Sequence, residues 1–463
     1  MSSLCRRAFR LRVAERSAAR AAAPAALLLA VAALVASCDA SARRSPALPL
    51  CEGCNVVVIS LDTLRADHVG AYGYDRATTP NVDRLAHGSV VFENAISQSA
   101  WTRPAHASML TGLYPAEHGI LSVSRGLALA PDLPTLAGTL SDHGYATAAF
   151  TGGGNMSAHF GFDVGFDTYV SPGRRLTDAL DDIESWLHTR DEAPFFLFVH
   201  AFDPHRPYKS DPVDRAALGI SGRKVTGGVQ RACRTAGSRA DLVPFVDEYD
   251  AAIRHGDRAV GRLLELVERG AFRRRTIVVF TSDHGEEFFD HGDCFHIQTL
   301  YREITHVPLI VKVPGVKPRR ISEVVPASVA IAPTVLELVG VGPRRGQGPS
   351  LVSVIEGRRQ AGFEYVVSET AIRYRNRVIG RVRALTGQRD KLVHWVAENR
   401  TEYFDLMRDP FERDPLASPA RSRTLLRHLD LWLAAHPPRP SAVLARPLPV
   451  ALRRELRALG YVD

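Results

Sequence analysis

The stretch WTRPAHASMLTG, residues 101 to 112, sets a threonine, an arginine, a proline and a histidine at the start of a helix-like run. Thr102 has two readings there. Threonine ahead of Pro104 and a hydrophobic run is an N-cap pattern; its hydroxyl is also a nucleophile if a cation lowers its proton affinity. Groups able to hold such a cation follow other apolar runs. NVVVIS (55 to 60) leads to Asp62, TIVVFTS (276 to 282) to Asp283 and His284, and FFLFVHAF (195 to 202) to His205. Carboxylates with an imidazole suit a divalent cation such as zinc or manganese, and calcium or magnesium remain compatible.

The elements that must position these groups are continuous apolar strands, the kind buried on both faces of a parallel sheet. ATAAFTGG (146 to 153) is a weaker version, and PLIVKV (308 to 313) carries Lys312 near its end. Helix-like segments lie between them at 131 to 142, 174 to 189, 241 to 269 and 326 to 339. This alternation predicts an α/β fold, a mostly parallel sheet sandwiched by helices. Ligands in such sheets bind beyond the carboxyl ends of the strands, where Asp62, His205, Asp283 and His284 fall. Residues 361 to 408 read instead as a small antiparallel sheet, followed by helices at 422 to 436 and 451 to 462. The expected organisation is a signal peptide over 1–37, a tether over 38–54, a catalytic domain over 55–345 and a C-terminal subdomain over 346–463.

Residues 1 to 37 combine six arginines with the apolar run APAALLLAVAALVA, an export-signal pattern. The run is short for a membrane span. Val35-Ala36-Ser37-Cys38 resembles a bacterial lipobox, which implies lipidation at Cys38 and a membrane-anchored lipoprotein facing the periplasm or cell surface. The leader's six arginines and one glutamate also account for +5 of the formal net charge of +8, so the basic balance is no nucleic-acid signature. Cys51 and Cys54, in CEGC, are spaced for a local disulfide; no second C-x-x-C completes a four-thiolate site. Thr151-Gly-Gly-Gly-Asn155 is a candidate anion nest, and Arg65 a candidate anion contact or a salt bridge.

These motifs carry a resemblance. The chain looks like the sulfatase branch of the alkaline phosphatase superfamily over roughly residues 55 to 415. VVVISLDTLRADHVGAYGYDRATTPNVDRLAHGSVVFENAIS resembles that family's first block, which implies Asp62 as a metal ligand. Thr102, Arg103 and Pro104, with Thr111-Gly112, Tyr114-Pro115 and His118-Gly119, resemble its nucleophile block. HAFDPHRPY implies a substrate-contacting His205, and SDHG implies metal-binding Asp283 and His284. HGDCFHIQTLYREITHVPLIVKVPG implies roles for His291, His296 and Lys312, and EYFDLMRDPFE resembles a late block.

The implied enzyme is a metal-dependent hydrolase of sulfate or phosphate esters carried on a small molecule, glycan or lipid. Thr102 would be its nucleophile and His205 and His296 its proton donors; His106, His291, Lys312, Asn155 and Arg65 would bind substrate. Departures qualify this: Thr63 and His106 stand where the family has Asp and Arg, and threonine stands where it needs Cys or Ser. Oxidised threonine would give a ketone, so formylglycine is not expected. A threonine there resembles phosphoethanolamine and glycerol-phosphate transferases of the same superfamily. Phosphotransfer and a catalytically silent binding lipoprotein are the alternatives.

Overall fold

In the computed structural model, residues 50–459 are described except 122–126, 172, 174, 191–192, 223, 226–227, 269–274, 345, 375–376, 439–442 and 445–446. The leader and Cys38 lie outside the described residues. No helix among the described residues is long and apolar enough to cross a membrane.

The five predicted apolar runs become strands of a central eight-stranded sheet, whose other three strands the sequence reading did not name. Its strands are β1 (Asn55–Leu61), β2 (Val90–Ile96), β3 (Ala146–Phe150), β4 (Thr168–Val170), β5 (Phe195–Ala201), β6 (Thr276–Ser282), β7 (Leu309–Lys312) and β8 (Arg319–Pro326). They are ordered β8-β2-β7-β6-β1-β5-β3-β4. β1 lies at the centre, parallel to both β5 and β6, with Ser60 level with His200 and Thr281. Every residue of β1 and β5 is buried, which is why they read as unbroken apolar runs rather than alternating ones. β7 is the exception: it runs antiparallel to both β2 and β6.

Helices cover both faces. The helices are α1 (Pro80–His87), α2 (Thr102–Thr111), α3 (Leu176–His188), α4 (Val243–Glu268) and α5 (Ser328–Leu338). Met109, Leu110, Leu336 and Leu338 from α2 and α5, with Trp101 just before α2, belong to the core on one face. Ile183, Leu187, Ile253, Val260 and Leu263 from α3 and α4 belong to the core on the other. The periodic apolar positions expected over 241 to 269 are thus the buried stripe of α4.

The C-terminal antiparallel sheet consists of β9 (Tyr365–Tyr374), β10 (Arg377–Gly387), β11 (Asp390–Trp395) and β12 (Arg400–Asp405), in sequential order. Helix α6 (Pro419–Ala435) packs Leu425 and Leu429 on it, and α7 (Val450–Ala458) returns Leu452 and Leu456 to the main core. Leu351, Val352, Val354 and Ile355 also belong to that main core, so the sheet subdomain proper starts at Tyr365.

The compact unit begins at Leu50, and Cys51 and Cys54 are buried and joined by a disulfide. The Cys51 N–H donates to Leu338 O, which fixes the segment to the end of α5. A second disulfide, Cys233–Cys294, closes a separation of 61 residues.

Candidate active site

The site lies at the carboxyl ends of the central strands. β1 ends at Leu61 and delivers Asp62; β6 ends at Ser282 and delivers Asp283 and His284. All three side chains are fully buried, and together they could hold a metal ion. His284 Nε2 stands 3.3 Å from Asp283 Oδ2 and 3.6 Å from Asp62 Oδ1.

Local structure decides which atoms face inward. Asp283 Oδ1 accepts from the backbone N–H groups of Thr63 at 3.2 Å and His284 at 2.9 Å. Its Oδ2, both oxygens of Asp62 and Nε2 of His284 have no hydrogen-bond partner. His284 Nδ1–H donates to Gly285 O at 2.9 Å, so its Nε2 presents a lone pair, the tautomer a cation needs. Buried polar atoms without partners are costly, and a cluster of orphaned carboxylate and imidazole atoms is relieved by a positive ion. Burial first, then the neighbouring Asp283 charge, pushes the Asp62 pKa well above the ordinary carboxylate range. The donor set therefore fits a divalent cation.

Two backbone features hold this arrangement. Thr63 has φ 62°, a left-handed conformation rare for a β-branched residue, and it aims the Thr63 N–H at Asp283. Strain of this kind costs about 1–3 kcal/mol. Gly285 must be glycine because an added Cβ would lie 1.9 Å from Glu303 O.

Thr102 is the first residue of α2. Trp101 occupies the N-cap position and no side-chain cap is made, so the cap reading of Thr102 is corrected. Its Oγ1 is buried without a hydrogen-bond partner. The hydroxyl is nonetheless among the influences that lower the Asp62 pKa, which sets it against that carboxylate. The N-terminal end of α2 favours negative charge beside it.

Three imidazoles complete the pocket. His296 Nδ1–H donates to Glu286 at 2.8 Å, and its ring lies 4.5 Å from His284 and 5.4 Å from His205. His205 Nδ1–H donates to Arg206 O at 2.6 Å. Burial lowers the His205 pKa to about 3 and carries that of His296 well below its ordinary value. Both rings are therefore neutral near pH 7. The third, His200 on β5, escaped the sequence reading although it lies in the quoted HAFDPHRPY run. Its Nε2 is 3.7 Å from Asp62 Oδ2, and its Nδ1 accepts from Gly152 N–H at 3.4 Å. Its signal was a polar residue interrupting an otherwise apolar central strand.

The remaining predicted residues divide. Asn155 is fully buried beside α2; its Oδ1 accepts from Arg103 at 2.9 Å and its Nδ2 has no partner. His106 is within the site, 3.6 Å from Asp283 Oδ2, but its nitrogens are engaged by Ser60 Oγ at 3.0 Å and Thr102 O at 2.9 Å. It braces α2 against β1, and burial lowers its pKa to about 3.

Three of the predicted residues are engaged by other partners. Arg65 spends its guanidinium on Asp67 at 2.8 and 2.9 Å, Asp290 at 2.8 Å and Glu286 O at 3.0 Å, so its fork is saturated. His291 donates to Glu303 at 2.8 Å and to Glu412 O at 2.7 Å, tying the late block to the core. Lys312 pairs with Glu268 at 2.7 Å on the far edge of the sheet. Because β7 is antiparallel, Lys312 is level with Val278, four residues before the end of β6.

Comparison with known proteins agrees with this geometry. The profile of the Sulfatase family matches residues 54–341, and that of the C-terminal region of N-sulphoglucosamine sulphohydrolase matches residues 290–436. A delta 4,5-hexuronate-2-O-sulfatase of Bacteroides thetaiotaomicron is 26% identical over 427 residues, covering 81% of this chain and 87% of its own. Human N-sulphoglucosamine sulphohydrolase is 28% identical over 305 residues, 58% of this chain and 57% of its own. The phosphonate monoester hydrolase of Agrobacterium radiobacter shares the fold, with a TM-score of 0.69 at 21% identity, over 85% of this chain and 100% of that one. With the profile spanning most of the chain and the metal-ligand geometry in place, the protein is a member of the sulfatase family.

Proposed function

We propose that the protein hydrolyses sulfate or phosphate esters borne on a carbohydrate, with Thr102 as the nucleophile. The observation that carries this reading is Thr102 Oγ1. It is buried, without a hydrogen-bond partner, at a helix N-terminus and beside the orphaned carboxylate of Asp62. Carbohydrate is the class suggested by relatives whose names include a hexuronate sulfatase and an ulvan-active sulfatase.

Asp62, Asp283 and His284 would hold a divalent ion, which supplies Lewis-acid stabilisation of charge and a lower proton affinity for a neighbouring hydroxyl. Thr102 Oγ attacks sulfur or phosphorus in line, and the first turn of α2 favours the anion it meets. The proton lost by Thr102 passes to the neutral His205 or His296, which delivers it to the leaving alcohol. Their depressed pKa values make them reluctant to hold one until the substrate's negative charge raises them. His200, Asn155 and Glu286 shape the wall around these groups. Water then releases the acid from Thr102. Formylglycine has no part in this route, since oxidised threonine is a ketone.

The leader reads as a lipoprotein signal, and the two disulfides suit an oxidising compartment. Cys38→Ser is expected to shift the protein from the membrane to the soluble fraction; unchanged fractionation would remove the lipid anchor from the account. For the activity, purified protein is assayed with aryl sulfate and aryl phosphate across a divalent-metal series. Metal-dependent release of phenol is expected, and inactivity toward both esters at every metal would refute the assignment.

A further inference from the structure

Next in sequence to His205, Arg206 lines a cavity of about 340 Å³ together with Arg231, Arg234, Tyr208, Val229 and Phe245. A smaller cavity of about 60 Å³ shares Arg206 and Pro207 with it and is lined by His205. None of the three arginines forms an ion pair with a described residue. Among the described residues Arg206 donates to Leu459 O, at 3.3 Å, and lies over the Phe295 ring at 4.2 Å. Arg231 and Arg234 are exposed on the short helix Val229–Thr235.

Position as well as charge singles this cavity out. Cys233, between the two arginines, is bonded to Cys294, two residues before His296. The arginine-bearing helix is thereby fastened to the segment that carries a site imidazole. Three guanidiniums line one cavity with no carboxylate partner among the described residues, and the guanidinium fork matches sulfate, phosphate and carboxylate. The Tyr208 and Phe245 rings add an apolar wall of the kind that receives the face of a ligand.

We propose that this cavity is a second anion subsite, which takes a sulfate, phosphate or carboxylate group on a sugar adjoining the ester to be cleaved. The substrate would therefore be a saccharide with more than one negative charge. The proposal rests on the ester-hydrolase reading, but its test is made without turnover, so failure of the Thr102 assignment leaves it standing.

The test is calorimetric titration with sucrose octasulfate, with inorganic sulfate as the singly substituted control. The full chain is expected to bind the octasulfate, and Arg231→Ala/Arg234→Ala to weaken it by at least about tenfold. Arg231→Gln/Arg234→Gln, a second charge-free pair, should do the same, with melting temperatures confirming folding. Arg319→Ala/Arg320→Ala removes charge from a separate open cleft of about 570 Å³ and should leave the affinity as it is. Unaltered binding in both charge-free pairs, or loss in the Arg319/Arg320 variant instead, would overturn the proposal. So would octasulfate binding no tighter than inorganic sulfate.

Discussion

The Nε2 of His284 lies 3.3 Å from Oδ2 of Asp283, and neither atom has a hydrogen-bond partner. The opposite atoms of both side chains are satisfied: His284 Nδ1 by Gly285 O, and Asp283 Oδ1 by the N–H groups of Thr63 and His284. The fold thus fixes each side chain by one end and leaves the other for a cation.

Asp283→Asn keeps the Oδ1 acceptor and removes the inward charge. Affinity for added divalent ions should fall by at least about tenfold, measured by metal titration. Without added metal the same variant should melt higher than the wild type, because a buried repulsion with Asp62 is relieved. A wild-type melting temperature indifferent to every divalent ion would count against the site.

Arg65 predicts a stability defect. Arg65→Ala leaves the partly exposed Asp67 without its cation and Asp290 with Arg239 alone, and should cost about 1–3 kcal/mol in urea unfolding. Arg65→Lys should restore only part of it, since an ammonium cannot fork to two carboxylates. A KM defect at unchanged stability would return Arg65 to the substrate.

Lys312→Ala should leave kcat/KM at the wild-type value and change stability by no more than about 1 kcal/mol, because its partner Glu268 is exposed. A large loss of kcat would mean that the edge of the sheet reached by β7 takes part in the chemistry.

His291 gives a pH signature. Burial alone would lower its pKa, but the Glu303 carboxylate at 2.8 Å and the Glu412 carbonyl raise it to about 9. A folded pKa above the unfolded value of about 6.5 means that the native state binds more protons. The stabilisation is complete below about 6.5 and is lost as pH rises through about 9. Wild-type melting temperature should therefore fall between pH 7 and 9, and His291→Gln should flatten that fall. Parallel curves for the two proteins would contradict the ion pair.

Much of this was legible in the chain. Buried parallel strands are unbroken apolar runs, so β1, β5 and β6 announce themselves, and the acid or imidazole just beyond each marks the site edge. What sequence did not carry was direction. The run ending in Lys312 has the composition of its neighbours, yet β7 turns the other way and sends its lysine to the far edge. Nor does residue type reveal saturation: Arg65 and His291 have the chemistry of anion contacts and are consumed by carboxylates of the fold. His200 was hidden inside an apolar strand, and the pairing of Cys233 with Cys294 depends on a tertiary approach that spacing does not encode.

The most direct measurement is the turnover of Thr102→Ala beside the wild type at saturating metal, with intact mass after a slow phosphate ester. Removing a nucleophile commonly costs several orders of magnitude, so a fall in kcat of at least about a thousandfold is predicted. A covalent phosphate should appear on the wild-type chain and not on the variant. Retention of full activity by Thr102→Ala would contradict the assignment of Thr102 as the group that attacks the ester.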